Sequence, residues 1–372
     1  MRKISIWNRV VVLLILFAGT GCRKDLCYDH NHATNVEVRT SYNLDWRMHW
    51  EEDVEIEPSW DIDWTPVYPQ EPDGVRLVTY PHYSGLSGQT YNMPKYGGKL
   101  NMSAGYHDML FYNNDTEYIL FGGHGDAMMA TTRTRTRASY SKLYPDEVTV
   151  NPPDMLFGAF FEDLYIEDES ELHDPTNKEK ILEVKLMPRV FSYVIHFEFK
   201  SGLEYVAQAR GALSGMAGSV TLSNGHTDNN PVTLLFDCTK KKWGCQAIIR
   251  SFGVPGISLH DSKSSEDTQV DDPDITKTGN HISYDRNEPT KVIEINETYN
   301  HRLTLELYLI NGKEKLITID VTDQVNKQPR GGVIVAEDLE VTEEEGEESS
   351  GGGFDTEVDG WEDDKVVDIP ID

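Results

Sequence analysis

The chain has 372 residues, a formal net charge of -29 and a sequence pI near 4.7. Such acidity argues against nucleic acid or an anionic lipid face as a partner. Beyond the first 21 residues, enough chain remains for about two domains at roughly 150 residues each.

The N-terminus reads as an export signal. Arg2, Lys3 and Arg9 precede the apolar stretch Val10 to Ala18, and the small residues Gly19, Thr20 and Gly21 lead to Cys22. The apolar stretch is about half of what a bilayer-spanning helix needs. A small-residue site ending in Cys resembles a lipobox, although Gly19 stands where an aliphatic residue is usual. That resemblance implies cleavage before Cys22, acylation of its thiol, and an outer-membrane protein held by its lipid. Residues 1–21 are then the signal peptide.

Beyond the signal, short strands dominate. Runs of strand character occupy Val36 to Thr40, Val75 to Tyr80, Lys99 to Met102, Tyr106 to Tyr112 and Tyr118 to Phe121. Turn chemistry separates several of them, with PDG at 72–74, YGG at 96–98 and NND at 113–115. Pro153 to Ile166 is the best helix candidate, yet its apolar density leaves helix and strand unresolved. The polar segment from Glu167 to Lys180 reads as a domain link. Further strands follow at Ile181 to Met187 and Val190 to Phe199. The second alternates with period two: Phe191, Tyr193, Ile195, Phe197 and Phe199 face one way and Ser192, His196 and Glu198 the other, as in a half-buried antiparallel strand. Leu203 to Met216 has the Ala, Leu and Gln content of a helix. A loop is expected from Asp261 to Glu288. Leu303 to Ile310 and Leu316 to Val321 flank an Asn-Gly turn at 311–312, the strongest hairpin signal in the chain. A last strand runs from Gly332 to Ala336.

The composition shifts near residue 341. Glu337 to Asp372 holds sixteen acidic residues against the single Lys365, about half of the net charge, and so reads as a flexible acidic tail over 341–372. The expected architecture is all-β: antiparallel sandwich domains at 22–170 and 171–340. Cys238 and Cys245 flank the turn-like TKKKWG between two apolar runs, which makes them candidates for a disulfide, with two unpaired half-buried thiols as the alternative. Cys27 has no obvious partner.

Several segments together identify a family. CRKDLCYDH, GKLNMSAGYHDMLFYNNDTEYILF, ARGALSGMAGSVTLSNG and the closing QPRGGVIV resemble a Bacteroidota lipoprotein family of unknown function. That family is similar to anchor and accessory subunits of fimbrillin-type fimbriae. The resemblance covers Cys22 to about Val341 and implies two transthyretin-like β-sandwiches behind a lipidated Cys. It also implies assembly with other fimbrillin-like subunits, by addition of a strand from one subunit to an open sheet edge of the next.

Candidate sites have competing structural readings. Trp46, Trp50, Trp60 and Trp64 could offer stacking faces to a glycan, or pack as a loop onto the first sandwich. Arg133, Arg135 and Arg137 form a row that suits an acidic partner, a processing site or a charged edge strand. GGHGD at 122–126 lacks the ending of a phosphate loop and reads as a turn. Asp61 with Asp63, and Asp271, Asp272 and Asp274, do not fit a calcium-loop pattern. The chain has no G-x-S-x-G elbow, no H-E-x-x-H and no Cys/His pair with metal spacing. Two distant carboxylates could still form a glycosidase without a linear motif. Neither catalytic residues nor a cofactor are expected. The final octet KVVDIPID, with Val366, Val367 and Ile369, reads as a docking strand beyond a flexible linker, against a frayed terminus. The leading expectation is a surface lipoprotein of fimbrial anchor, accessory or adhesive type. A glycan-binding lipoprotein of a carbohydrate-uptake system is the alternative.

Overall fold

The computed structural model describes residues 33–45, 60–82, 88–132, 147–167, 180–260, 281–283, 292–295 and 299–347. In chain order the strands begin with β1 (Ala33–Tyr42), β2 (Gly74–Pro81), β3 (Gln89–Pro94), β4 (Gly97–Ser103) and β5 (Gly105–Tyr112). Short β6 (Ile119–Gly122), β7 (Met129–Thr132) and β8 (Thr149–Val150) precede the long β9 (Phe157–Ile166) and β10 (Lys180–Pro188). Next come β11 (Phe191–Ser201), β12 (Val206–Ala217), β13 (Ser219–Thr221), β14 (Pro231–Lys240) and β15 (Gly244–Ser251). They are followed by β16 (Ile257–His260), β17 (His281–Ser283), β18 (Val292–Ile295), β19 (Arg302–Leu309) and β20 (Glu314–Asp320). Helix α1 (Thr322–Lys327), β21 (Gly332–Glu340) and the single turn α2 (Glu343–Gly346) complete the described chain.

The strands build two sandwiches. In the first, the order β3-β2-β5-β9-β10-β1-β4 divides at a corner, where β9 and β10 pair only through Gly158 with Met187 and Phe157 with Pro188. The two layers close over Val36, Val38, Leu77, Met109, Phe111 and Leu182 and their neighbours. Alternate burial along β2 and β10 is the period-two pattern of strands with one face inward. In the second sandwich, the order β20-β19-β12-β14-β15-β11-β21 divides between β14 and β15, which share only the pairs Thr239 with Gln246 and Lys240 with Cys245. Its core runs through Tyr193, Ile195, Phe197, Leu213, Leu234 and Leu305.

Three expectations about local structure change. Pro153 to Ile166 is strand from Phe157 onward, because β5 pairs along its whole length. The helix expected over Leu203 to Met216 is a short 3-10 turn at Leu203–Tyr205 followed by β12. Here tertiary context overrides propensity: β12 is a central strand between β14 and β19, and a Cβ on Gly211 would lie 2.1 Å from the Phe236 ring. The strand from Val190 is buried on both faces rather than half-buried; Ser192, Val194 and His196 are as inaccessible as the residues between them. Nor are the sandwiches wholly antiparallel, since β1 with β10 and β11 with β21 run parallel. Each of those pairs is joined through a long stretch of intervening chain, as parallel neighbours require. The hairpin at Asn-Gly 311–312 is present, with β19 and β20 in continuous antiparallel register and Gly312 at φ 77.

The boundary between the bodies lies one strand later than a division at 170. β10 belongs to the first sandwich, and the chain crosses at Arg189 and Val190 into β11. A joint forms at that crossing. The small sheet β13-β7-β6 draws strands from both sides of it, and Leu110, Tyr112, Leu156, Val190, Val220 and Phe252 pack into one cluster. Each such fully buried side chain contributes roughly 1.5–3 kcal/mol relative to exposure. Arg189 is buried in the joint and donates from Nε to Leu222 O at 2.9 Å and from Nη2 to Ser223 O at 3.2 Å. The start of the expected tail is also docked: Val341 is buried, a Thr342 and Glu345 capping box closes α2, and Asn311 Nδ2 donates to Glu345 O at 2.7 Å.

Candidate interaction surface

The tryptophan-rich segment leaves the first sandwich after β1 and returns to it at β2. Between them, Trp60 to Tyr68 forms a strap across the outer face of the β15-β11-β21 layer. Trp60 and Val67 pack with Val194 and Val333, and with the half-buried Ile62, Trp64, Ile248 and Val335. The segment therefore packs on the second sandwich, not the first. This contact also explains why both faces of β11 are buried.

Trp60 sits in a polar frame. Its Nε1 donates to Glu198 Oε1 at 2.8 Å, and Gln246 Nε2 donates to its carbonyl at 3.3 Å. The indole lies 4.5 Å from the His196 ring, and Trp243 stacks on the same imidazole at 4.7 Å with 6° between planes. Burial, reinforced by the nearby Lys241 cation, pushes the His196 pKa down to about 4. At 8% exposure, Trp60 has no face left for a sugar ring. Trp64 is half-buried and lies 6.1 Å from Tyr68. Trp46 and Trp50 lie outside the described residues. No linear signal joins Trp60 to His196 and Trp243; register across three separate segments brings them together.

The two edges of the second sandwich differ. At β21, side-chain amides from α1 stand where a neighbouring strand would be. Gln324 donates to Val335 O at 2.9 Å and accepts from Val335 N at 2.8 Å. Gln328 treats Val333 in the same way, at 3.0 and 2.6 Å. The i, i+4 spacing on one helix face thus matches the i, i+2 spacing of outward-facing groups along one strand edge. Val325, buried in the core between the two glutamines, holds the helix in place.

At the opposite end β20 pairs with β19 from Glu314 to Asp320, and among the described residues no strand lies on its other side. Leu316 is 52% exposed there. Sequence reasoning found β20 and β21 as strands but missed the glutamine cap, whose only linear trace is Gln324 and Gln328 four residues apart.

The remaining candidates resolve individually. Cys238 and Cys245 are not joined in a disulfide. The β14-β15 register sets Cys245 opposite Lys240, while Cys238 is paired across β12 with Ala209, so the bridge expected across the TKKKWG turn is not formed. Burial pushes the Cys245 thiol up to about 11, which keeps it protonated and inert. Asp61 lies 3.7 Å from Lys241 Nζ, and Asp63 accepts from Thr65 N at 3.0 Å as a turn residue; they do not converge on a cation. Cys22, Cys27, the Arg133, Arg135 and Arg137 row, the acids at 271–274 and the octet with Val366, Val367 and Ile369 lie outside the described residues.

One cluster had no sequence signal. His82 Nε2 lies 2.8 Å from Asp108 Oδ1 and its Nδ1 3.3 Å from Asp163 Oδ1. A bulge in β9 opposite Asp108 brings Asp163 there, at φ 54. The hydrogen bond to Asp108, with both carboxylate charges, raises the His82 pKa. With a carboxylate on each ring nitrogen, the trio suits a doubly protonated imidazolium.

Comparisons with known proteins follow the fold. A Bacteroides ovatus protein named for fimbrium anchoring, Fim4B, is 25% identical over 236 residues, which cover 62% of this chain. The match spans 60% of that relative's length. The crystal structure of a Bacteroides ovatus candidate adhesin is 20% identical, with TM-score 0.50, over 83% of this chain and 94% of the other. It shares the fold. The model of a family described as a domain of unknown function (DUF5119) matches residues 48–237, just over half of the 372 residues, and the chain belongs to that family.

Proposed function

We propose that the protein is a cell-envelope lipoprotein that serves a fimbrium as an anchor or accessory subunit, structural rather than catalytic. The observation that carries this reading is the asymmetry of the second sandwich. One sheet edge is capped by two glutamine amides and the other, β20, is left available for a strand from another subunit. The relative named for fimbrium anchoring supports the same reading. Backbone hydrogen bonds along β20 would supply affinity, with Leu316 as an apolar contact beside them.

In this reading Cys22 carries the lipid that holds the chain to the outer membrane, on the cell surface. The octet at 365–372 is the strand this subunit offers in turn, through Val366, Val367 and Ile369. Pro370 lacks a donor and suits an edge position. A glycan-binding role gains nothing from Trp60, which is occupied by the second sandwich.

The test has two arms. Cys22→Ser should abolish palmitate labelling and release the protein from outer-membrane fractions; persistent labelling would remove the anchor. Deleting residues 365–372 should leave the body folded yet reduce co-purification with fimbrial subunits, the strand addition at β20 remaining. Unchanged co-purification would reject the octet as a docking strand.

A further inference from the structure

We propose that the strap Trp60 to Tyr68 is an acid-released clasp between the two sandwiches, with His196 as its trigger. Its ends belong to the first body, since the segment leaves from β1 and re-enters at β2, while its buried face belongs to the second.

The geometry around His196 links the ring's protonation to the seating of Trp60. Gln246 Nε2 lies 3.3 Å from Trp60 O and 3.3 Å from His196 Nε2. A single amide nitrogen therefore donates to both, which requires His196 to accept on Nε2 and to carry its proton on Nδ1. That Nδ1 is buried without a hydrogen-bond partner.

A second proton on His196 must go to Nε2, where it meets the Gln246 NH2. Two donors then face one another. If the amide rotates to accept the new N–H, its oxygen turns toward Trp60 O and the bond that holds the strap is replaced by repulsion. The imidazolium is in addition shut off from water, a cost that the attraction of a cation to the two neighbouring indoles offsets only in part.

The charges around the ring do not rescue it. Lys241, on the turn between β14 and β15, opposes a second cation and pairs with Asp61 of the strap. Glu198, two residues along β11, accepts from Trp60 Nε1. Within the sheet, His196 is flanked by Gln246 of β15 and Val335 of β21, neither of which is charged.

The sign follows from linkage. His196 titrates near 4 with the strap seated and at about 6.5 once exposed, so the seated form is fully favoured above about 6.5 and loses ground as pH falls toward 4. At pH 5 those two values shift the seating equilibrium about thirtyfold toward release. Release would uncover Val194, Ile248, Val333 and Val335.

Hydrogen exchange read by mass spectrometry on the full chain, normalised to intrinsic rates at each pH, tests this. Between pH 7.5 and pH 5, peptides covering 60–68 should lose protection about thirtyfold, while those from β12 and β14 keep theirs. His196→Phe should abolish the loss. Equal loss across all peptides, no loss at 60–68, or the same loss in His196→Phe would overturn the clasp.

Discussion

β20 and β21 terminate the same sheet system, and both have one neighbour in sequence-adjacent register or across a long connection. Yet among the described residues one edge is open and the other closed. Nothing in the strand sequences separates them: GVIVAEDLE and EKLITID both read as ordinary strands. The difference comes from α1, whose glutamines occupy the backbone groups of Val333 and Val335. An edge is thus a property of what stands beside it, and under the proposed strand addition, closing one edge directs addition to the other.

The largest effect expected from probing this comparison is at the strap, which covers the outer face beside β21. Trp60→Ala should destabilise the second sandwich by roughly 3–5 kcal/mol, measured by urea unfolding with far-UV circular dichroism. A loss under about 1 kcal/mol would mean that the strap is loosely seated. Next in size are the caps. Gln324→Ala and Gln328→Ala each leave one donor and one acceptor of β21 unpaired and should cost about 1–3 kcal/mol apiece. The double variant should also self-associate in sedimentation, because the β21 edge is then open. A double variant that stays monodisperse would show that closure does not depend on the amides.

Smaller effects are expected at the open edge. Lys315→Ala removes the Lys315 to Glu345 pair, 2.6 Å apart and partly exposed, and should cost under about 1 kcal/mol. Leu316→Lys should change stability by no more than about 0.5 kcal/mol while weakening subunit association. A large stability loss there would mean that Leu316 is less open than its exposure indicates.

Much of this was legible in the sequence, and the failures have physical causes. Short runs of strand character located β2 and β10, and the Asn-Gly turn located the β19-β20 hairpin, because strand and turn preferences are written locally. β12 was misread as helix because Ala, Leu and Gln content reports intrinsic preference. Its burial between β14 and β19 and the close approach of Phe236 to Gly211 are tertiary facts. β11 read as half-buried because its second cover, the strap, lies more than a hundred residues away. The expected packing of the tryptophans onto the nearest sandwich followed sequence proximity, whereas Trp60 found His196 and Trp243. The His82, Asp108 and Asp163 trio depends on a bulge that no residue pattern marks.

The central claim is that partner subunits add at β20 and not at β21. A photo-crosslinking residue placed at Leu316 on β20, and separately at Glu337 on β21, tests it directly in intact outer membranes. The account predicts covalent adducts with fimbrial subunits from position 316 and none from position 337. Adducts from 337 alone, or equal yields from both, would contradict it.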